Sequence, residues 1–166
     1  MNKNLVEITL TVNGRKVTKS VSPRLLLSDF LRQDLNLTGT HVGCEHGVCG
    51  TCTIEMDGKT ARSCLTFAVQ AEGAVINTVE SLGTIANMHP LQHAFWEKHG
   101  LQCGFCTPGM LMTAKELLSS NPNPTREQVT EAISGNLCRC TGYQTVIDAV
   151  MSAAESMRNR EEINHE

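Results

Sequence analysis

One stretch of ten residues decides how this chain folds, and it reads Gly43-Cys-Glu-His-Gly-Val-Cys-Gly-Thr-Cys52. Thiolates bind metals, and three thiolates from one short loop can converge only if the chain curls tightly. Glycine permits this curl because it tolerates positive φ and close approach of the backbone. The glycines of the loop are Gly43, Gly47 and Gly50. The predicted metal ligands are Cys44, Cys49, Cys52 and, after eleven intervening residues, Cys64.

The spacing of these four cysteines points to one kind of metal centre. C-x4-C-x2-C with a more distant fourth cysteine is the plant-type ferredoxin spacing, which holds a 2Fe–2S cluster. Backbone N–H groups of the loop can donate hydrogen bonds to the cluster sulfurs and so tune its reduction potential. Four thiolates can also hold structural zinc, but this spacing favours iron and sulfur. We therefore predict a first 2Fe–2S cluster on this loop.

A second group of four cysteines lies further along the chain, and its members are Cys103, Cys106, Cys138 and Cys140. The spacing is C-x2-C, a gap of 31 residues, and C-x-C. Each pair stands just before a predicted helix start, one at Thr107-Pro108 and the other at Thr141. Helix N-termini carry partial positive charge, which favours an anionic thiolate cluster. Spacing alone leaves two possibilities open here, a second 2Fe–2S cluster and structural zinc.

The hydrophobic period changes between the two groups of cysteines. Alternation with turn signals predicts strands in the first half, at 7–12, 17–21, 53–56, 60–61 and 74–79. Ser22-Pro23 predicts a helix start there, as an N-cap followed by proline. Helical spacing predicts helices over 90–99 and from 107, 125 and 141, the last two with capping boxes. The change near 81–83 predicts two domains, 1–80 and 81–166, and the charged segment Arg158–Glu166 is expected to be a frayed tail.

Composition and charge exclude several classes of function. The net charge is −3. Residues 1–80 contain eight basic and eight acidic side chains, and residues 81–166 contain six basic and nine acidic side chains. Neither half has a basic stripe, so nucleic acid is not a predicted partner. No apolar signal segment and no run of roughly 18 apolar residues for a membrane span are visible. We therefore expect a cytoplasmic protein with reduced cysteines. No hydrolytic constellation or phosphate-binding loop is visible, and no catalytic residue is predicted.

Three motifs together resemble one family. The first motif is the stretch 43–52. The other two are Gln102-Cys-Gly-Phe-Cys-Thr-Pro-Gly-Met110 and Gly135-Asn-Leu-Cys-Arg-Cys-Thr-Gly-Tyr143. They are similar to signatures of the small iron–sulfur subunit of the molybdenum hydroxylases, related to xanthine dehydrogenase and aerobic carbon monoxide dehydrogenase. The likeness runs from about Val6 to Met157 and departs from the family at no cluster ligand. It implies an α+β fold, in which a β-grasp ferredoxin domain precedes a four-helix bundle with the second 2Fe–2S cluster.

The same resemblance implies the cofactors and partners. The second cluster would lie nearer a molybdopterin, in a dinucleotide form, on a large subunit, and the first nearer FAD on a medium subunit. Gln102 and Cys140 would then lie close to the pterin at the subunit boundary. Electrons would pass singly from the molybdopterin centre through both clusters to FAD, within a hetero-oligomer such as a dimer of heterotrimers. The loop 44–49 is more similar to that of N-heterocycle or aldehyde hydroxylases than to that of carbon monoxide dehydrogenases.

Two other functions also fit the eight cysteines. A free-standing two-cluster carrier, like a ferredoxin, would exchange electrons with separate reductases. Free ferredoxins often carry a markedly acidic surface, however, whereas residues 1–80 are neutral overall. In a structural or sensing protein, the metals would only stabilise two small domains. Native mass measurement separates these interpretations, because an electron-transfer subunit would co-purify with larger subunits that carry molybdenum and FAD.

Overall fold

The first half of the chain folds into a five-stranded mixed sheet packed on one helix. The computed structural model describes residues 4–163. The strands are β1 (Val6–Val12), β2 (Arg15–Val21), β3 (Thr53–Met56), β4 (Lys59–Arg62) and β5 (Val75–Asn77). Their order is β2-β1-β5-β3-β4, with β1 parallel to β5 and the other neighbours antiparallel. The predicted β-grasp fold is confirmed, although β5 is shorter than predicted because residues 79–81 form a 3-10 turn.

Tight turns set the register of this sheet. Asn13 and Gly14 have φ of 48° and 76°, and positive φ at both residues is typical of a two-residue type I′ hairpin. The two-residue turn between β3 and β4 has the same signs of φ. Since such a turn fixes which residues face each other, Thr53 pairs with Arg62 at the open end of the β3–β4 hairpin. Two of the predicted metal ligands lie just beyond that open end.

The helix predicted to start at Ser22-Pro23 begins later. Helix α1 covers Leu27–Asp29 and continues as a π-helical turn over Phe30–Asp34. Ser22 closes a tight turn instead, in which its carbonyl accepts a hydrogen bond from the backbone three residues on. The predicted start was wrong because Leu26 is extended and forms a bridge to Phe67. That pairing across the domain prevents the helix from extending further back.

Residues 81–163 contain four helices, and the predicted four-helix bundle is confirmed. They are α2 (Pro90–Glu97), α3 (Thr107–Ser120), α4 (Arg126–Ile133) and α5 (Gln144–Ile163). Helices α2 and α4 each contact both α3 and α5, so the four close around one apolar core. Fully buried members of that core include Leu91, Phe95 and Met110. None of the helices described for residues 4–163 has the length and apolar character to cross a membrane.

Local capping decides where these helices begin and end. The capping box at Thr125 is present, because its hydroxyl accepts from Gln128 N at 3.3 Å while the Gln128 side chain accepts from Thr125 N at 2.9 Å. The capping box predicted at Thr141 is wrong, since α5 begins only at Gln144. The Thr141 hydroxyl makes other contacts, described below. Helix α2 ends at Glu97, two residues earlier than predicted.

Helix α5 also occupies much of the segment predicted to be a frayed tail. The helix continues to Ile163, and Arg158 Nη1 donates to Pro122 O at 2.9 Å. The tail prediction was therefore wrong for residues 158–163, because apolar residues up to Met157 keep the helix packed on the core. Residues 164–166 of the predicted tail lie outside the described residues.

The two halves meet at a tight contact, here called the glycine junction, formed by Gly50, Gly109, Gly135 and Asn136. A Cβ added to Gly109 would lie 2.3 Å from Gly50 O, and one added to Gly50 would lie 2.3 Å from Gly135 O. Neither position has room for a side chain. The junction therefore brings the cysteine loop directly onto α3 and onto the segment before α5.

Polar contacts join the halves further along α3. Lys115 Nζ and Glu55 Oε2 form an ion pair at 2.6 Å. Burial alone would raise the pKa of Glu55, but its hydrogen bonds, first that from Lys115, outweigh burial and lower the pKa. The neighbouring Glu116 side chain accepts a hydrogen bond from Thr60 N at 2.9 Å. These bonds hold β3 and β4 against α3.

Gly109→Ala tests the glycine junction. Alanine ordinarily favours a helix over glycine by up to about 1 kcal/mol, so an isolated α3 would gain from this change. The added Cβ would instead press on the Gly50 carbonyl, and we expect a net loss of roughly 1–3 kcal/mol in the free energy of unfolding. Calorimetry of the cluster-loaded chain measures it, with Ser119→Ala on the exposed side of α3 as control. Unchanged or higher stability of Gly109→Ala would contradict the tight junction.

Candidate metal centres

The first site lies between the cysteine loop and the β3–β4 hairpin. Cys44 and Cys49 are on the loop and are half-buried. Cys52 directly precedes β3, Cys64 lies in a 3-10 turn just after β4, and both are buried. The hairpin holds these two close together, because Ser63 N donates to Cys52 O at 3.3 Å. The structure thus brings the four predicted ligands to one place, with one pair on the loop and one on the hairpin.

Positive φ angles bend the cysteine loop at Glu45, Gly47 and Gly50. Neighbouring side chains pack closely against two of its glycines. A Cβ on Gly47 would lie 2.5 Å from the Leu65 side chain, and one on Gly43 would lie 3.1 Å from Cys49 Sγ. The bend turns backbone N–H groups inward, so that Cys49 N donates to Cys44 Sγ at 3.4 Å.

The thiols of the first site differ in acidity. Hydrogen bonds from backbone N–H groups, first that of Cys49 and then that of His46, lower the pKa of Cys44 to about 6. Burial, followed by the hydrogen bond with the Cys52 thiol, raises the pKa of Cys64 to about 11. Since the thiolate is the form that binds metal, Cys44 is ready to bind near neutral pH. Cys64 ionises there only with the help of a bound metal's positive charge.

The second site lies where the start of α3 meets the loop before α5. Cys103 and Cys140 are exposed, and their sulfur atoms are 3.5 Å apart. Cys106 is buried, Cys138 is half-buried, and these two thiols are hydrogen-bonded to each other. The intervening α3 and α4 bring the two distant cysteine pairs together, as the sequence predicts. The result is an exposed outer pair and a more buried inner pair.

Helix N-termini contribute less to this site than the sequence predicts. Helix α3 begins at Thr107, directly after Cys106, and this start is confirmed. Helix α5 begins at Gln144, four residues after Cys140. The positive end of α5 is thus further from the C-x-C pair than expected, and individual side chains make the local contacts there.

Thr141 and Tyr143 position Cys138. Thr141 Oγ1 lies 3.1 Å from Cys138 Sγ and accepts a hydrogen bond from Tyr143 N at 3.1 Å. The hydroxyl can donate its hydrogen to the sulfur, and this hydrogen bond lowers the pKa of Cys138. Tyr143 Oη in turn accepts from Cys138 N at 2.9 Å. Sequence reasoning gave neither side chain this role, and their spacing after the C-x-C pair is the signal that could have found them.

The inner thiols of the second site also differ in acidity. Burial, followed by the hydrogen bond with the Cys138 thiol, raises the pKa of Cys106 to about 12. Burial alone would also raise the pKa of Cys138, but hydrogen bonds from Thr141 outweigh burial and lower this pKa. At the outer edge, the hydrogen bond with the Cys103 thiol raises the pKa of Cys140. Within the inner pair, Cys138 therefore ionises before Cys106.

The pairing of the thiols is compatible with two 2Fe–2S clusters. They meet in four pairs, Cys44 with Cys49, Cys52 with Cys64, Cys103 with Cys140, and Cys106 with Cys138. In such a cluster each of the two irons takes two of the four thiolates, and the pairs present that pattern. Hydrogen-bond donors beside sulfur also suit a negatively charged cluster. Among residues 4–163, no three His, Cys, Asp or Glu side chains are placed to hold a single metal ion.

A hydrogen bond connects the two sites directly. Leu137 N, adjacent in sequence to Cys138, donates to Cys49 O at 2.8 Å. Beside it, the Phe105 ring would lie 3.3 Å from a Cβ on Gly43. The segments that carry predicted ligands of the two sites are therefore in contact, with no other layer of structure between them.

Exposed apolar side chains lie on the segments that carry the cysteines of both sites. Around the first site they are Val48, Leu65 and Phe67, which are 57%, 58% and 42% exposed. Around the second they are Phe105 and Leu137, which are 47% and 52% exposed. Gln102 is exposed beside Cys103. Grouped exposed apolar residues mark surfaces for binding another protein.

Known proteins share this architecture. Residues 10–77 match the family of the 2Fe-2S iron-sulfur cluster binding domain, and residues 78–151 match the 2Fe-2S binding domain family. The chain is 58% identical over 155 residues to the nicotine 6-hydroxylase small subunit of Paenarthrobacter nicotinovorans. This match covers 93% of each chain. It is also 58% identical over 150 residues to caffeine dehydrogenase subunit gamma of Pseudomonas sp. strain CBB1, covering 89% of this chain and 90% of that one.

A crystal structure of quinoline 2-oxidoreductase from Pseudomonas putida 86 contains a chain that is 53% identical, with a TM-score of 0.90. The match covers 95% of this chain and 98% of that one. The chain belongs to the small iron–sulfur subunits of the molybdenum hydroxylases. This iron–sulfur subunit carries two 2Fe–2S clusters and serves electron transfer in a multi-subunit oxidoreductase. The alternatives of zinc at the second site and of a free-standing carrier are not supported, since residues 78–151 match a 2Fe-2S domain and the relatives are named as subunits.

Replacing one buried cysteine in each site tests whether the clusters are independent. The wild-type iron–sulfur subunit should hold about four irons and four sulfides, and Cys52→Ala and Cys106→Ala, which offer no ligand atom, about half of each. Metal analysis and EPR after reduction measure what is left in each variant. His46→Asn, an exposed change in the same loop, should keep the full complement. Full iron in either cysteine variant would contradict the assignment.

Thr141→Val tests the hydrogen bond to Cys138. An O–H···S bond stabilises the more negative, reduced cluster, so its loss should lower the potential of the second cluster by on the order of tens of millivolts. Thr51→Val is the matched change at the first site, because Thr51 Oγ1 lies 3.3 Å from Cys49 Sγ. In EPR-monitored redox titrations each variant should shift only its own cluster. A raised potential, or no shift in either variant, would refute the role of these hydroxyls.

Proposed function

We propose that this iron–sulfur subunit carries single electrons from a molybdopterin centre on a large partner subunit to FAD on a medium partner subunit. Each bound cluster takes up and releases one electron, whereas oxidation of the substrate releases two. The residues of this chain hold the clusters at a fixed separation, limit access of water and set potentials through hydrogen bonds and burial. The observation that carries the proposal is the hydrogen bond from Leu137 N to Cys49 O.

The proposal assigns the ligands of each cluster. The first cluster takes Cys44, Cys49, Cys52 and Cys64, and the second takes Cys103, Cys106, Cys138 and Cys140. The paired contacts of these thiols support the assignment. Close packing around Gly43, Gly47 and Gly50 supports their role in shaping the first loop. Two separate hydrophobic cores support the division into domains 1–80 and 81–166.

Exposure at the second site supports the order of the two clusters. Cys103 and Cys140 lie at the surface, where a cofactor on a partner subunit can approach them. We assign Cys140 and the exposed Gln102 to the contact with molybdopterin, in its dinucleotide form. The apolar rim of the first site suits the FAD-binding subunit. The assembly proposed is a dimer of heterotrimers, and a cytoplasmic location belongs to the same proposal because reducing conditions keep thiols available.

The substrate class that we propose is an aromatic nitrogen heterocycle. Nicotine, caffeine and quinoline, which appear in the names of the three similar proteins, all contain nitrogen rings. Each similarity exceeds 50% identity over nearly the whole chain, which supports partners of a similar kind. The pocket for the substrate would lie on the large subunit, and no residue of this chain is assigned a catalytic role.

Cys103→Ala in the assembled complex tests the serial relay. Nicotine, caffeine and quinoline are tried as electron donors, and the one that the wild-type complex oxidises is used. Loss of the second cluster should slow reduction of the flavin by this donor at least about a hundredfold, because an intermediate carrier is missing. Stopped-flow absorbance measures the rate, and analysis of molybdenum, FAD and the first cluster verifies assembly. Undiminished flavin reduction without the second cluster would contradict the proposed function.

A further inference from the structure

We propose that Asn136 is a positioning residue that sets the separation and the electronic coupling between the two clusters. Its side chain clamps the loop of the first site onto the segment that carries Cys138. The importance of this coupling for the relay rests on the proposed function. The clamp itself follows from contacts within this chain alone.

Asn136 uses both ends of its side-chain amide across the glycine junction, and it is only 1% exposed. Nδ2 donates to Gly50 O at 2.9 Å, and Oδ1 accepts from Thr113 Oγ1 at 3.0 Å. Its backbone N donates to Ile133 O at 2.9 Å, which ties the residue to the end of α4. A buried amide is costly unless it is hydrogen-bonded. These contacts therefore hold Asn136 in one orientation, with its donor toward the first site.

The clamp lies between ligands of different clusters. Gly50 directly follows Cys49, and only Leu137 separates Asn136 from Cys138. Leu137 N donates to Cys49 O at 2.8 Å, so two neighbouring hydrogen bonds tie the same two short segments together. A covalent path with a single hydrogen-bond step therefore runs from Cys49 to Cys138.

The glycine junction leaves little room for the clamp to adjust. A Cβ on Gly50 would lie 2.8 Å from Asn136 Nδ2, and one on Gly109 would lie 2.9 Å from the same atom. A side chain at position 136 that cannot bond the Gly50 carbonyl loses this tie between the two segments, which lets them move apart. Electron tunnelling slows steeply with distance, so a small separation here slows transfer between clusters.

Other contacts keep the domains docked when the clamp is lost. The Lys115–Glu55 ion pair, at 2.6 Å, and the hydrogen bond from Thr60 N to Glu116, at 2.9 Å, involve no cysteine and no residue next to one in the sequence. Lys115→Met therefore gives a matched control, because it weakens the interface between the domains without touching a ligand segment. If Asn136 only stabilised the interface between the domains, its variants would have the same effect as Lys115→Met.

The experiment compares Asn136→Asp, Asn136→Leu and Lys115→Met in the assembled complex, with iron content measured for each. Aspartate keeps the shape but turns an acceptor toward the Gly50 carbonyl, and leucine removes both hydrogen bonds of the amide. The first readout is the magnetic splitting of the EPR signals when dithionite has reduced both clusters. This dipolar splitting falls with the inverse cube of the distance between the spins. The second readout is the rate of flavin reduction by the donor used for Cys103→Ala.

Both Asn136 variants should show a smaller splitting and reduce the flavin about tenfold more slowly or worse, as expected for small displacements of reacting groups. Lys115→Met should keep the wild-type values of both. Wild-type splitting in Asn136 variants that hold both clusters would overturn the positioning role, whatever their thermal stability. A smaller splitting with undiminished flavin reduction would support the clamp and contradict the relay function instead.

Thr113→Val decides the question if neither Asn136 variant retains both clusters. This change removes only the hydroxyl that orients the amide of Asn136. It should reduce the splitting in the same direction and by a smaller amount. Unchanged splitting in a Thr113→Val complex with both clusters would overturn the proposal.

Discussion

The close contact of Gly50 with Gly109 and Asn136 is the constraint on which the arrangement of the two metal sites depends. Because Gly50 follows Cys49, the peptide pressed against α3 belongs to the loop of the first site. Asn136 lies two residues before Cys138 and therefore belongs to the second site. Neither loop can shift without disturbing the other, so the β-grasp sheet and the helical bundle act as two supports for one connected pair of sites.

Burial divides each site into thiols that ionise readily and thiols that do not. Cys44 and Cys138 have lowered pKa values because the hydrogen bonds that they accept outweigh the pKa-raising effect of burial. Burial raises the pKa of Cys64 to about 11 and that of Cys106 to about 12. Cys44 can bind iron as a thiolate near neutral pH, and Cys138 ionises more readily than an ordinary thiol. Cys64 and Cys106 lose their protons only when a bound metal displaces them. Cluster binding is therefore coupled to deprotonation in the interior of both domains.

Local patterns predicted most of the fold, because strand alternation, helix caps and cysteine spacing act over a few residues. They failed where a distant partner decides the outcome. The start of α1 depends on the pairing of Leu26 with Phe67, and the glycine junction depends on Asn136 reaching Gly50 across 86 positions of sequence. The sequence pattern predicts a helix cap at Thr141, but its hydroxyl contacts the sulfur of Cys138, which is three residues earlier in the chain.

The central claim is that electrons reach the flavin only through the two clusters of this chain. The most direct measurement is freeze-quench EPR of the wild-type complex after mixing with the nitrogen heterocycle that it oxidises, with each cluster signal assigned from the single-site cysteine variants. We expect the second cluster to become reduced no later than the first, and both to become reduced before electrons accumulate on FAD. Full reduction of FAD while both clusters stay oxidised throughout, in a complex whose clusters have potentials above that of FAD, would contradict the claim.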